Sequence, residues 1–535
     1  MYNEEAKNIA RYNSLSKAVL LLTEKRNKST LADRGYLRRV WEKIAESGNS
    51  SDKNINSYLN TKTIERWEYF FDSIVTTKEP KHLKIAYLCG PDPLNDLNVL
   101  TKLGVLQENI WAIESDKRTY EIAVDSLIAA NFPFLKIIRS DFKSFIEYTP
   151  IRFDIIYLDF CDTIYSRADG PKNLETITAI AKHQSLASLG ILITNFALVS
   201  KEQDEKGFEL LSKFAAGYLY PKSFLEVKDT GRFGDGVEAE GIYEDEFFDL
   251  VKNDLAPYYS QFVTRVIMDI FCLNVHVDRF MNNQKQRNLF FDKLLYKNKP
   301  RYILRKKVES LFTYQRNGGG GDIFVDHGSW ALPWSFAYFL GFILVNGDDK
   351  EISEHGPKFI NQLTSYSKNG NDFFEKMTAF YYLKDEDPDL EIFYSNSLKR
   401  IAKNWKAFEK HIFCDVFLFH QLKDLMIRQI SMPYHINIAK SRRWRYKAKN
   451  TEMYMDMLVF DECRYLYDWM PTIDMLKDNL SNIENELSFR YVLDALGKHK
   501  RWYFDEFFSG TAIIDQHTKK FRAKMLRKRK EIKTS

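Results

Sequence analysis

The chain has 535 residues, 44% of them hydrophobic and 28% charged, with 40 Phe, 30 Tyr and 9 Trp. That is material for about three domains with sizeable cores, and it excludes collagenous, coiled-coil and wholly disordered chains. The net charge of +5 is uneven: Lys519, Lys520, Arg522, Lys524, Arg527, Lys528, Arg529 and Lys530 carry +8 with no acid among them, leaving the rest of the chain net acidic at −3.

Cys89, Cys161, Cys272, Cys414 and Cys463 are scattered without a C-x-x-C pair. This argues against a zinc ribbon, a redox motif or a disulfide framework and for a reducing compartment. The ten histidines show no metal-ligand spacing, so no metal site is expected. Met1-Tyr-Asn-Glu-Glu is acidic where a secretory signal is basic. The uncharged stretch 330–345 has 16 residues, including Pro333 and Gly341, short of the roughly 18–20 that span a bilayer. A cytoplasmic protein without a membrane span is expected.

Residues 1–80 read as a helical preface, with apolar spacing at Leu15, Ala18, Leu21 and Leu22 and again at Leu37, Val40, Trp41 and Ile44. From Lys84 short apolar runs alternate with helical patterns: Ile85–Leu88, Ile110–Ile113, Leu135–Ile138, Ile155–Leu158 and Ile191–Thr194. Five strands alternating with helices predict an α/β domain over 81–230 with a doubly wound, mostly parallel sheet. Residues 231–535 read as a large, mainly helical region with a basic tail, interrupted by Gly318–Gly321 and the acidic turn 385–389. The glycine run lacks the Lys-Ser/Thr of a P-loop, and Asp326-His327-Gly-Ser329 is too local to count as a hydrolase triad.

Three acids sit where predicted strands end: Glu114, Asp141 and Asp159. In an open parallel sheet ligands bind at the carboxyl ends of the strands, so the three share one crevice. The first strand-to-helix turn, Leu88-Cys89-Gly90-Pro-Asp92-Pro-Leu94, has one glycine, with Asp92 expected as helix N-cap and Pro93 at the first helical position. A dinucleotide fold uses three glycines there to admit a pyrophosphate. Asp92 and Asp96 would repel phosphates, whereas S-adenosylmethionine has none and carries a sulfonium and an ammonium. Electrostatics therefore favours S-adenosylmethionine over NAD. Glu114 follows Gly90 by 24 residues, the distance at which a second-strand acid reaches ribose hydroxyls.

The stretch Lys84–Asn195 resembles the class I S-adenosylmethionine-dependent methyltransferases, a Rossmann-like family. Ile85-Ala-Tyr-Leu-Cys-Gly-Pro-Asp looks like their first motif and Ile113-Glu114-Ser-Asp like the second. Ser140-Asp141-Phe142 resembles the third, Tyr157-Leu-Asp159-Phe-Cys-Asp the fourth, and Gly190-Ile-Leu-Ile-Thr-Asn195 the fifth strand. The first motif departs from the family in being glycine-poor. The resemblance implies that Cys89, Gly90 and Asp92 approach the methionine moiety, Glu114 the ribose and Asp141 with Phe142 the adenine, while Asp159 lies on the acceptor side as the catalytic residue. Each acid also has a plain reading as a strand-end, turn or cap residue. Cys161 reads as a packed thiol, because pyrimidine-carbon enzymes place proline before their cysteine and Phe160 stands here. A ribose-oxygen enzyme would need a lysine, with Lys84 and Lys201 as candidates.

Arg443-Trp-Arg445-Tyr-Lys447-Ala-Lys449 alternates base with aromatic or small residues, so as a strand it would display four cations on one face. With Arg442 these residues form a candidate nucleic-acid surface, and Lys524, Arg527 and Arg529 of the tail a second. The expected function is methylation of a nucleic acid, RNA ahead of DNA. The alternative is a nucleic-acid-binding or sensing protein that keeps the fold without transfer, such as an effector in a bacterial anti-phage pathway.

Overall fold

The computed structural model describes residues 4–39, 61–166, 172–202, 204–226, 244–271, 434–469 and 528–533, with isolated positions elsewhere. Readings on Val40, Trp41 and Ile44, on 317–345 and 385–389, and on Lys524 and Arg527 lie outside these residues. The chain divides into two compact units. The first takes in 1–163, 179–198 and 433–535; the second takes in 164–178 and 199–432.

The first unit opens with α1 (Glu4–Leu22), α2 (Arg26–Ser29) and α3 (Thr61–Ile74). Of the apolar positions in the N-terminal segment, Leu15, Ala18, Leu21, Leu22 and Leu37 are buried. Then come β1 (Ile85–Leu88), α4 (Leu94–Lys102), β2 (Ile110–Glu114), α5 (Lys117–Ala129), β3 (Lys136–Arg139), α6 (Phe142–Tyr148), β4 (Phe153–Asp159), α7 (Asn173–Lys182) and β5 (Leu186–Ala197). Their pairing is parallel throughout, in the order β3-β2-β1-β4-β5. Alternate strand residues face opposite layers. Ile85, Tyr87, Ile110 and Ala112 share a core with α1, α4 and α5, while Trp111 and Phe153 meet edge-on, with Phe145 of α6 against Phe153. Helices on both faces make the sheet doubly wound, as the alternation of elements predicts.

The sheet does not end at β5. Four more strands, β6 (His435–Ile436), β7 (Arg442–Ala448), β8 (Thr451–Asp461) and β9 (Lys530–Glu531), extend it in the order β5-β8-β7-β9, with β6 beside β8. β8 runs antiparallel to β5 with nine residues in register, from Leu189↔Asp461 to Ala197↔Met453. The region read as mainly helical therefore supplies one side of the sheet. Met453–Phe460 is buried on both faces, and such a run does not show the alternation that marks a half-exposed strand.

In the second unit, α8 (Glu205–Glu226) packs on α9 (Glu244–Asn253) and α10 (Leu255–Phe271). Buried Asp415 accepts from Leu174 N, Glu175 N and the Ser166 hydroxyl and meets His420 Nε2 at 3.0 Å. Here an acid, a histidine and a serine serve as a helix cap: the serine proton points at the carboxylate. No helix among the described residues is long and apolar enough to cross a membrane.

At the far edge, β9 lies parallel to β7, held by Arg529. Its guanidinium donates to Trp444 O, Met455 O and both carboxylate oxygens of Asp456, all buried. Arg443, also buried, lies 3.7 Å from the same carboxylate. Hydrogen bonds to a buried charged group contribute about 1.5–3 kcal/mol, so Arg529→Met is expected to lower unfolding stability by that order. Lys528→Ala, an exposed neighbour, should change it by less than about 0.5 kcal/mol. Equal Tm shifts for the two variants in thermal melts would refute the anchoring role.

Candidate functional site

The strand order reverses between β1 and β4, and the crevice at the carboxyl ends of these two strands is where open α/β sheets take ligands. After β1, Cys89 N donates to Ile113 O at 3.2 Å, locking the first turn to β2. Gly90 follows with φ +59°, a conformation that L side chains rarely adopt. Nothing lies within 4 Å of where its Cβ would stand, so the need for glycine is conformational and the backbone there is approachable. Tyr87 donates to Pro93 O at 3.0 Å and Leu94 N to Asp92 Oδ1 at 3.3 Å. Helix α4 starts at Leu94 with Pro93 as its cap residue, one position later than the sequence pattern suggests. Cys89 is buried, and burial first, then Glu114 and Asp96, pushes its thiol up to about 12.

Glu114 closes β2 with its Oε1 accepting from Asp116 N at 2.8 Å. Ser140 N donates to Glu114 O at 3.0 Å, which brings the end of β3 alongside. Asp141 is exposed and caps α6 by accepting from Ser144 N at 2.9 Å. Phe142 is buried against Phe145 and belongs to the core.

Asp159 closes β4 inside a closed network. Its Oδ2 pairs with Lys7 Nζ of α1 at 2.8 Å. Its Oδ1 accepts from Asn195 Nδ2 at 2.8 Å and from Cys161 Sγ at 3.0 Å, while Lys7 also reaches Cys161 Sγ at 3.2 Å. Asn195 lies opposite Asp159 in the β4–β5 register and is fully buried; its Nδ2 also donates to Tyr446 Oη of β7 at 2.7 Å. Burial would raise the Asp159 carboxyl, but Lys7 and the hydrogen bonds from Cys161 and Asn195 outweigh it and hold the group below its usual range. Burial and Asp159 push the Cys161 thiol up to about 12, far from the thiolate that covalent catalysis needs. Cys161 has φ +55°, a strained backbone for a non-glycine residue at the rim of a site. Beside it Phe160 stacks on Phe196 at 5.0 Å.

One turn along α1 from Lys7, Arg11 Nε lies 2.7 Å from Asp96 Oδ1 of α4, both side chains buried. Burial pushes Asp96 up to about 6, with Arg11 opposing and Asp159 adding to the shift. Paired in this way, Asp96 presents no free charge to the crevice; of the two acids expected to repel phosphates, Asp92 is left. Tyr157, two residues before Asp159 on the same face of β4, is buried with no hydrogen-bond partner at its hydroxyl.

The fold thus gathers Cys89, Gly90, Asp92, Glu114, Asp141 and Asp159 along the carboxyl ends of four adjacent strands. Sequence reasoning missed Lys7, Arg11 and Tyr446, and quoted Asn195 only as a strand end. A signal existed in α1: Lys7 and Arg11 are four apart, next to Ala6 and Ala10 on the helix surface, the small-residue face that packs closest. The lysine beside Asp159 is Lys7; Lys84 precedes β1, at the amino ends of the strands, away from the crevice.

Of the basic residues, Arg445, Lys447 and Lys449 are exposed and Arg442 is half-buried. Arg443 and Arg529 are buried on Asp456, away from solvent. Trp444 and Tyr446 pack inward.

Asp96 titrates higher folded than unfolded, so the native state binds its proton first. Its contribution to stability is fully present below about pH 4 and lost as pH rises through about 6. Relative to Asp96→Asn, the wild-type Tm is expected to fall between pH 4 and pH 6; parallel Tm–pH curves for the two proteins would contradict this.

No protein-family model matches the chain, and no curated protein does. Among solved structures, the chain is similar to a candidate methyltransferase, yhhF of Escherichia coli, at 12% identity and a TM-score of 0.18, covering 26% of this chain and 70% of that one. A likeness of this size bears on neither substrate nor mechanism.

Proposed function

We propose that the chain is an S-adenosylmethionine-dependent methyltransferase that acts on nucleic acid, RNA ahead of DNA. The observation that supports this best is the meeting of Gly90, Glu114 and Asp159 around the reversal of strand order. The residues present fit the cofactor. Gly90 offers unobstructed backbone, Glu114 has one oxygen taken by Asp116 N and a second to meet a ribose hydroxyl, and the single-glycine turn suits a ligand without a pyrophosphate. When bound, the cofactor supplies an electrophilic methyl group on a good leaving group. The protein's task is then alignment and exclusion of water. Gly90 and the Cys89–Asp92 turn would hold the methionine part, Glu114 the ribose, and Asp141 the adenine edge. Asp159, fixed by Asn195 and kept ionised, orients the acceptor by taking a hydrogen bond from it.

The nucleic-acid part of the reading draws on β7. Tyr446 touches Asn195 of the site, while its strand neighbours Arg445 and Lys447 are exposed on the opposite face of β7 and Lys449 is exposed at its end; this exposed basic face is what supports the reading. A second reading, binding without transfer, is favoured by one observation: Lys7 of the same chain sits on Asp159.

Calorimetric titration with S-adenosylmethionine and S-adenosylhomocysteine tests the first reading. Micromolar binding that weakens at least tenfold in Glu114→Ala is expected, and no binding by the folded wild type would remove the enzyme reading. For the nucleic acid, Arg445→Ala/Lys447→Ala/Lys449→Ala should flatten the salt dependence of single-stranded RNA binding by about 0.7 in log–log slope for every phosphate that the variant no longer neutralises. An unchanged slope in filter binding, with RNA and DNA compared side by side, would move the interface elsewhere.

A further inference from the structure

Asp159 is fixed from several sides, and one of the supports comes from the far end of the chain. Lys7 Nζ pairs with its Oδ2 at 2.8 Å, and its Oδ1 accepts from Asn195 Nδ2 at 2.8 Å and from Cys161 Sγ at 3.0 Å. Asn195 Nδ2 has a second proton, which goes to Tyr446 Oη of β7 at 2.7 Å. We propose that Tyr446 is a positioning residue for Asp159: its hydroxyl orients the Asn195 amide, and through that amide it holds the carboxylate in one orientation.

Three observations carry this. The first is the chemistry of the amide. An asparagine side chain offers a nitrogen on one side and an oxygen on the other, and only the nitrogen serves an ionised carboxylate. The torsion that turns the amide is broad, so a single bond to Asp159 lets its plane pivot, whereas two acceptors on one nitrogen define it. The second is burial. Asn195 has no exposed surface, Tyr446 is 2% exposed and the Asp159 side chain 9%, so bulk water has little access to stand in for the hydroxyl. A buried donor left without an acceptor keeps its full desolvation cost. The third is how Tyr446 is mounted. It lies opposite Met453 of β8, and β8 places Met455 opposite Asn195 of β5. The Tyr446 ring belongs to the core that α1 shares with the sheet. The outer edge of β7 is pinned where Ile532 N donates to Arg445 O at 2.9 Å. The hydroxyl therefore stands on a strand held from both edges.

The supports of Asp159 act in different ways. Lys7 supplies the opposite charge that the buried carboxylate needs. Tyr446 adds no charge, because burial pushes its hydroxyl up and keeps the proton on; it acts by direction alone. Arg445 and Lys447 flank it in sequence and point to the other face of β7, so the strand with the exposed cations also carries the residue that sets the carboxylate. That this setting matters to methyl transfer rests on the transferase reading above; the hold on the carboxylate does not.

The test separates the two. Tyr446→Phe removes the hydroxyl and keeps the ring. Asp159 is more acidic folded than unfolded, in part through the Asn195 hydrogen bond, so its contribution to stability is present above about pH 5 and is lost as pH falls through its folded value. Loosening the Asn195 bond removes part of that contribution. The Tm deficit of Tyr446→Phe against the wild type is expected to be larger at about pH 7 than at about pH 3.5 by at least about 1 °C. In an Asp159→Asn background the deficit should be equal at the two pH values. The other charged or titratable groups facing Asp159 are Lys7 and Arg11 of α1, Asp96 of α4, Tyr157 of β4 and Cys161; all are common to the four proteins, so the comparison isolates Asp159. A deficit of the same size at both pH values in the wild-type background would overturn the positioning role and leave Tyr446 a packing residue. Tyr446→Met, apolar and adaptable in shape, is the companion variant should Tyr446→Phe fail to fold. With methyl transfer to RNA as the readout, Tyr446→Phe should lower kcat at least about tenfold while KM for RNA and the affinity for S-adenosylmethionine change less than about twofold. An unchanged kcat would overturn the role in transfer. Failure of the wild type to bind S-adenosylmethionine would remove the transferase reading alone, since the pH comparison needs no cofactor.

Discussion

Two carboxylates, Asp96 and Asp159, come to lie almost without solvent where β1 and β4 part, and both are neutralised from one face of α1. An isolated buried carboxylate is too costly to keep, so each needs a cation with good geometry or must take up a proton. Lys7 and Arg11 answer the two in different ways. Asp159 gains a lysine, an amide and a thiol and stays ionised; Asp96 gains one guanidinium and is left near the edge of titration. The spacing of four residues along α1 is thus matched to the separation between the end of β4 and the first turn of α4. The first helix of the chain is part of the site, and the crevice cannot be understood from the βα repeats alone.

The other half of the support comes from the far end of the sequence. Tyr446 on β7 receives the Asn195 amide, and β8 pins β5, which carries Asn195, along nine residues. Arg529 then ties the last strand to Asp456. Three distant segments, at residues 4–22, 84–197 and 433–533, therefore share one core, and the residues around Asp159 are drawn from all three.

Sequence reading located the five parallel strands because each βα unit is local: a short apolar run, a turn, and a helix whose own periodicity is visible. Glu114, Asp141 and Asp159 were legible for the same reason, since an acid directly after a strand needs no knowledge of the rest of the fold. What stayed hidden was nonlocal. Nothing about Lys7 in isolation distinguishes it from a solvated lysine, and its role appears only when α1 is laid across the strand ends. The cations of β7 show the converse. Alternation placed Arg443 on the same face as Arg445 and Lys447, but pairing with β8 put Asp456 beneath it, and the charge was spent inside the protein. Phe142 went the same way: position after a strand suggested a ligand contact, and the hydrophobic layer of α6 claimed the ring.

The antiparallel partner of β5 also sets a timetable for synthesis. Ala197 pairs with Met453, so the inner edge of β5, with Ile191 and Ile193 on it, has no strand to meet until more than 250 further residues have been made. At about 5–20 residues per second, that is a delay of some 10–50 s on the ribosome. During that time an apolar strand edge of the kind that templates aggregation stands open. The second unit, made in the interval, can begin to fold before the first is closed. Slower translation lengthens the time for which the β5 edge waits for β8.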